Sequence, residues 1–224
     1  MTKIKPWKFT GLYTDSENLL TKNLVPSYQV YGEELAQWEG EEYRIWIPKR
    51  SKASAMLKKG CKFFPVNQDS RILYLGAANG TTASHLSDIA YSGILYCVEF
   101  SKRAFYDLTA VCEIRKNMVP IFADANKPNM YKGIVGKVDL VYQDVSQRDQ
   151  IGIFLKNIET FLAPKGFGIL MIKARSIDVT AKPKDIFKDT ARQLKEHELK
   201  VLESIILKPY EKDHAAFVVK KITQ

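Results

Sequence analysis

Five positions in this 224-residue chain could do chemistry together: Gly76, Glu99, Asp124, Asp144 and Lys173. Each closes or closely follows an apolar run of strand-like length, at 71–75, 93–98, 119–123, 138–142 and 166–172. In an open α/β sheet the ligand sits outside the carboxyl ends of the strands. The five therefore share one rim, if the runs are neighbouring parallel strands. One charged strand end means little, because strands commonly stop at polar residues. Four ionisable groups at the expected places point to a site.

The residue types suggest what the site holds. Strand 71–75 runs into Gly76, a second glycine follows at Gly80, and a hydroxyl-rich segment from Thr81 to Ser87 opens an amphipathic helix. Glycines in such a turn let backbone approach a ligand where a Cβ would block it. Glu99, ending the second strand, can accept hydrogen bonds from both ribose hydroxyls of an adenosine ligand. Dinucleotide dehydrogenases share that carboxylate, but their loop reads G-x-G-x-x-G. Here the run is Gly76-Ala77-Ala78-Asn79-Gly80-Thr81, with two of the three glycine positions filled otherwise. A pyrophosphate wants those glycines; an adenosyl ligand with an amino-acid tail does not. The loop favours S-adenosylmethionine over NAD.

Asp124 followed by Ala125 suits an adenine, with a carboxylate for the exocyclic amine and a small residue leaving room for the ring. Asp144 falls where the reactive end of the ligand should lie, and Gln147 is placed in the first turn of the next helix, to bind the methionine tail. Lys173 closes a wholly apolar strand, so partial desolvation is expected to lower its pKa. Like charge from Lys52 would add to this, while Asp144 would oppose the shift and hold the ammonium. A lysine tuned in this way suits deprotonation or orientation of a ribose hydroxyl.

The elements that must position these groups follow from periodicity. From residue 71 onward strands and helices alternate, with helices predicted at about 102–116, 147–162 and 183–197. Two closing strands, 200–207 and 215–222, form a terminal hairpin. This pattern is an α/β class: a Rossmann-like, mostly parallel sheet with an antiparallel strand near its edge. Residues 1–53 lack that rhythm and read as a small N-terminal antiparallel β domain, with β-like pieces at 7–14, 19–25 and 43–47; residues 54–224 read as the main domain. A short helix at 54–59 joins the two, closed by Gly60.

Composition narrows the class. No apolar run approaches the ~18 residues of a membrane span, and no signal peptide is expected. The three cysteines make neither a zinc pattern nor an even disulfide set, and with three histidines no metal site is expected. A reducing cytoplasm fits. The chain carries 34 basic and 25 acidic residues, net +9, which favours a polyanionic partner. The basic residues gather at 49–62, where six stand without an acid, and at Lys173, Arg175, Lys182, Lys184 and Lys188. Five glutamates between Glu33 and Glu42 read as a separate acidic patch.

Particular motifs resemble a known family. They are Arg50-Ser51-Lys52, the run from Tyr74 to Asp88 that holds G-T-T-A-S-H-L-S-D, Val98-Glu99-Phe100-Ser101, Gln143-Asp144-Val145-Ser146-Gln147, I-K-A-R-S-I-D from Ile172 to Asp178, and Pro209-Tyr210-Glu211-Lys212-Asp213-His214-Ala215. Together they resemble the archaeal fibrillarins over nearly the whole chain. Eukaryotic fibrillarins carry a Gly/Arg-rich N-terminal extension, which this sequence lacks.

The resemblance implies a two-part fold and an S-adenosyl-L-methionine-dependent methyltransferase. Its substrate would be the ribose 2′-hydroxyl of ribosomal RNA, with transfer RNA as a further class. It implies cofactor contacts from Thr81, Thr82, Glu99, Phe100, Asp124, Ala125, Asp144, Val145, Ser146 and Gln147, beside Gly76 and Ala77 of the loop, with Phe100 stacking on adenine. Related ribose methyltransferases use a Lys-Asp-Lys-Glu tetrad; Lys52, Asp144 and Lys173 fit the first three places. For the fourth, Glu211 and His214 both stand in the last hairpin, and His214 is favoured because the family places a histidine just before the final strand. The resemblance also implies that a box C/D guide RNA chooses the target, while a Nop-type scaffold and a kink-turn-binding ribosomal-type protein place the enzyme. Two other readings share parts of this pattern. A small-molecule or protein methyltransferase would not need the basic rim. A non-catalytic ribonucleoprotein subunit would not need Asp144 or Lys173.

Overall fold

A computed structural model describes residues 3–222. The N-terminal strands are β1 (Lys5–Pro6), β2 (Leu12–Thr14), β3 (Leu19–Lys22), β4 (Leu35–Trp38) and β5 (Glu41–Ile45); helix α1 (Lys52–Lys58) follows. Then come β6 (Arg71–Leu75), α2 (Thr81–Ile89), β7 (Ile94–Glu99), α3 (Lys102–Glu113), β8 (Met118–Phe122), β9 (Val138–Gln143) and α4 (Gln150–Phe161). The chain closes with β10 (Leu162–Lys173), α5 (Ala174–Ile177), α6 (Pro183–Glu196), β11 (Leu199–Ile206) and β12 (His214–Lys221).

Seven strands form one sheet in the order β11-β12-β10-β9-β6-β7-β8. The pairs β10·β9, β9·β6, β6·β7 and β7·β8 are parallel, and β12 is antiparallel to both its neighbours. This is the doubly wound sheet with one reversed strand that the alternation predicts. β6 shows why it forms. Ile72 and Tyr74 enter the core on one face, Leu73 and Leu75 the core on the other, so a strand covered on both sides carries an unbroken apolar run.

The other five strands make a separate antiparallel sheet, β1-β2-β3-β5-β4. β4 is missing from the sequence expectation, because it lies among the glutamates of 33–42. A two-residue turn at Glu39-Gly40, both with positive φ (49° and 79°), closes it onto β5, as a right-twisted hairpin requires. Shifts elsewhere are small and have local causes. Helix α4 starts at Gln150 rather than 147, because the Asp149 side chain caps it by accepting from Gly152 N at 3.0 Å. Gln147 is therefore in the loop before the helix and not in its first turn.

Two expectations need larger corrections. Helix α2 is not amphipathic: all nine of its residues are buried. It faces the parallel sheet on one side and the N-terminal sheet on the other, and Leu12, Leu19 and Trp46 share a core with Ala83, Leu86 and Ile89. Nor is the acidic stretch a uniform surface patch. Glu33 is fully buried and accepts from Arg44 Nε at 2.6 Å. Burial alone would raise its carboxyl, but the Arg44 guanidinium and the Tyr31 and Val30 amides hold it below the usual range.

Glu33 belongs to a dry ionic network between the two sheets. Asp88 Oδ2 accepts from Arg44 Nη1 at 2.8 Å and Thr21 Oγ1 at 2.7 Å; Asp88 Oδ1 accepts from Arg115 Nη1 at 2.6 Å. His85 stacks on Trp46 with centroids 4.8 Å apart. The Thr21 proton goes to Asp88, so His85 Nδ1, 2.8 Å from the same hydroxyl, carries a proton and donates. Burial and the two nearby arginines push the His85 pKa well down, so the ring stays neutral.

All three cysteines are buried and free. Among the described residues no group of His, Cys, Asp or Glu is arranged to hold a metal ion, and no helix is long and apolar enough to cross a membrane.

Candidate active site

The sheet order brings the predicted residues to one rim. β7, β6, β9 and β10 are successive parallel neighbours, so Glu99, Gly76, Asp144 and Lys173 line up across their carboxyl ends. β12 runs the other way, so its first residue, His214, lies at the same rim, in register with Lys173. Lys52 arrives from outside the sheet, at the start of α1.

A cleft with two connected lobes opens along this rim. The first, about 290 Å³, is walled by Glu99, Phe100, Ser101, Ala125 and Gln147. The second, about 380 Å³, is walled by Lys52, Thr81, Thr82, Lys173, Glu211 and His214. Gly76, Ala78, Asp144, Val145 and Ser146 border both. Ala77 lines the second lobe. Asp124 does not line either lobe; its Oδ1 accepts from Gln147 Nε2 at 3.2 Å and from Asn126 N at 2.9 Å, so it orients the Gln147 amide that does.

The backbone of the loop is built for close approach. Gly76 has φ +78°, and a Cβ there would lie 2.6 Å from the Asp144 carbonyl oxygen. Ala78 takes the left-handed conformation at φ 49°, held by its N–H donating to Glu99 Oε2 at 2.9 Å. The Phe100 and Ser101 amides donate to Glu99 Oε1 at 2.9 and 2.7 Å. Three amides thus fix a carboxylate that is only 7% exposed. A carboxylate offers about four lone-pair sites, so the one remaining is on Oε2. No side chain caps the N-terminus of α2, and Thr81 and Thr82 stand there.

The charged lobe is ordered by Asp144. Lys52 Nζ lies 2.9 Å from both of its carboxylate oxygens, with both side chains about four-fifths buried. Ser51, the residue before Lys52, caps α1 and hydrogen-bonds Thr82 Oγ1 at 2.8 Å, which ties the lysine to the first turn of α2. The sequence motifs include Ser51, and also Arg50, Tyr74 and Asn79 on the wall of this lobe, but give none of the four a role. Ser51 ahead of an apolar helical run was the available signal.

Lys173 corrects one expectation. Its side chain is exposed, so it is not desolvated by the strand it ends, and Asp144 is paired with Lys52 instead. His214 is 8% exposed, and its Nδ1 lies 2.6 Å from the Lys212 carbonyl oxygen. A carbonyl only accepts, so Nδ1 carries the proton and Nε2 keeps its lone pair in the neutral ring. Glu211 Oε2 is 3.8 Å from the same Nδ1.

A nucleoside with an amino-acid tail fits this cleft on two observations. One lone-pair site of Glu99 Oε2 stays open on the wall of the first lobe, and Gln147 Oε1 is buried without a hydrogen-bond partner in the protein.

Comparison with known proteins agrees. The Fibrillarin family model matches residues 4–223. A Pyrococcus horikoshii protein named fibrillarin-like rRNA/tRNA 2′-O-methyltransferase is 48% identical over 227 residues, 99% of this chain and 100% of that protein. The crystal structure of Aeropyrum pernix fibrillarin in complex with natively bound S-adenosyl-L-methionine superposes with TM-score 0.88 at 41% identity, covering 98% of this chain and 100% of that one. A fibrillarin/Nop5p complex superposes with TM-score 0.87 at 42% identity, covering 95% and 98%. With the sheet, the glycine loop and the ionised rim all in place, the full-length match leaves one assignment: this chain belongs to the fibrillarin family.

Proposed function

We propose that the protein is an S-adenosyl-L-methionine-dependent RNA ribose 2′-O-methyltransferase, acting on rRNA and tRNA as the catalytic subunit of a guide-RNA-directed box C/D ribonucleoprotein. The observation that carries this reading is the convergence of Lys52, Asp144, Lys173 and His214 on one lobe beside the lobe walled by Glu99 and Gln147. The β1–β5 sheet forms a small N-terminal unit that braces helix α2 of the methyltransferase unit, and the expected boundary between residues 53 and 54 falls inside α1.

The bound cofactor supplies an electrophilic sulfonium methyl. Gly76, Ala77, Thr81, Thr82, Glu99, Phe100, Ala125, Asp144, Val145, Ser146 and Gln147 would hold it, with Asp124 acting through the Gln147 amide it orients, Glu99 Oε2 open to a ribose hydroxyl and the exposed Phe100 ring open to the base. Lys173 would meet the substrate 2′-hydroxyl and orient its lone pair at the sulfonium methyl; as the O–C bond forms and the S–C bond breaks, the hydroxyl proton leaves to solvent at this exposed end of the lobe. Asp144, fixed by Lys52, sets the charge against which Lys173 works. His214 fills the fourth place, with Nε2 as its free acceptor. Replacing Glu99 tests the cofactor half: Glu99→Ala should weaken S-adenosylmethionine binding by roughly 1–3 kcal/mol, the worth of a charge-assisted hydrogen bond in a dry site. Calorimetric titration measures it, and an unchanged dissociation constant would remove Glu99 from the site.

The resemblance and the surface supply the partners. Arg50, Lys52 and Lys173 stand on the rim, and no base-reading module accompanies them among the described residues. Target choice therefore belongs to the guide RNA, with a Nop-type scaffold and a kink-turn-binding ribosomal-type protein placing the enzyme, in the cytoplasm of an archaeal cell. The isolated chain should bind RNA weakly and with steep salt dependence, and methylate efficiently only when assembled. Transfer of tritiated methyl to an RNA substrate, with and without guide RNA and scaffold, followed by mapping of the modified sugar, tests this. Guide-dependent methylation by the chain alone at the particle's rate would contradict the partner requirement.

A further inference from the structure

Lys173 lacks a strand on one side. β12 accompanies β10 as far as Lys173, which stands opposite His214. On the other side the parallel register with β9 ends three residues earlier, at Leu170 opposite Gln143. A strand end left open there would let the backbone of Lys173 pivot, and the long side chain would amplify each change of angle at its ammonium.

A single side chain fills the gap. Gln150, the first residue of α4, is fully buried. Its Oε1 accepts from Lys173 N at 2.9 Å, and its Nε2 donates to the Lys173 carbonyl oxygen at 3.1 Å. One carboxamide thus makes the pair of bonds that a neighbouring strand residue would make. Gln150 is itself braced, because its backbone carbonyl accepts from Gln143 Nε2 at 2.6 Å, and Gln143 directly precedes Asp144. The next residue is held as well: Ala174 N donates to the Asp213 carbonyl at 3.0 Å.

We propose that Gln150 is a positioning residue for methyl transfer, its carboxamide clamping the backbone of Lys173 so that the ammonium meets the substrate hydroxyl. The proposal rests on the reading of Lys173 as the group that acts on that hydroxyl. A buried amide is a costly way merely to fill volume, since an apolar side chain of the same size would pack without polar demands. Here both polar atoms are spent on one residue, the one whose aim matters. Misplacement by about 1 Å can cost about 10²-fold in rate.

The test is single-turnover methylation in the reconstituted particle, with cofactor titration beside it. Gln150→Leu removes both clamp bonds and should lower the transfer rate about 10- to 100-fold, leaving cofactor affinity and the substrate RNA concentration for half-maximal rate nearly unchanged. Gln150→Glu keeps the shape but, ionised, cannot donate to the Lys173 carbonyl. Protonation restores the donor, and burial favours the protonated form. Its rate relative to wild type at the same pH should therefore rise as pH falls. In a Lys173→Ala background Gln150→Leu should cost nothing further.

Normal transfer by Lys173→Ala would sink the underlying reading of Lys173. Slow transfer by Lys173→Ala, with Gln150→Leu at the wild-type rate or its full cost retained on top of Lys173→Ala, would overturn the clamp alone. Should Gln150→Leu not fold, the Gln150→Glu ratio decides: a ratio that does not change with pH overturns the proposal.

Discussion

Lys173→Ala should leave cofactor binding and particle assembly intact while lowering methyl transfer by about 10²–10⁴-fold, the usual worth of a positioned acid–base group. The lysine lies in the lobe away from Glu99 and Gln147, so it can be lost without disturbing the groups assigned to the nucleoside. It is exposed, so removing it leaves no buried group unpaired and the fold should not suffer. Asp144→Ala should behave differently. Asp144 borders both lobes and anchors Lys52, so transfer and cofactor affinity should fall together. Single-turnover rates and calorimetric titrations of the two variants separate the cases. Near-normal turnover in Lys173→Ala would reduce Lys173 to an edge lysine and make His214, with its free Nε2, the next candidate.

How much of this was legible depended on whether a group's role is set locally or by packing. The strand ends were legible, because a doubly covered strand must be apolar and must stop where it meets the rim; β6 runs over Arg71–Leu75 as its composition predicts. The glycine loop was legible, because only glycine serves easily at φ +78° and +86°. The environment of Lys173 was not. Its burial depends on what lies above the strand end, and an apolar strand does not say whether its last residue faces core or cleft. Gln150 was equally hidden, since a glutamine in a first helical turn reads as solvated until the backbone it bonds is known. The fully buried α2 shows the same limit. Its sequence spaces polar residues as a surface helix does, but Ser84, His85 and Asp88 meet Thr21 and Arg44 of the other sheet, and Ser87 meets Asn117 of the loop before β8.

That sheet makes the second large effect. Asp88→Ala should destabilise the protein by about 3–5 kcal/mol, because it breaks a buried ion pair and leaves charge uncompensated. The network holds two carboxylates, Glu33 and Asp88, against two guanidiniums, Arg44 and Arg115, all dry. Without Asp88 the positive charge exceeds the negative by one, inside the protein. Asp88→Asn separates charge from volume. It keeps the size of the side chain and should cost nearly as much as Asp88→Ala, whereas a cavity origin would make it mild. Adding Arg115→Met to Asp88→Asn removes the excess positive charge and should recover much of the loss, a non-additive result expected of partners in contact. Urea unfolding midpoints measure all three. An Asp88→Asn protein within about 1 kcal/mol of wild type would show that hydrogen bonds, which the amide can partly replace, carry the network. The consequence reaches the active site through the helix that Asp88 sits on. α2 starts at Thr81 and Thr82 on the wall of the cleft and ends near Asp88 in the network, so the N-terminal sheet, which contributes no residue to the cofactor lobe, holds one wall of the cleft in place.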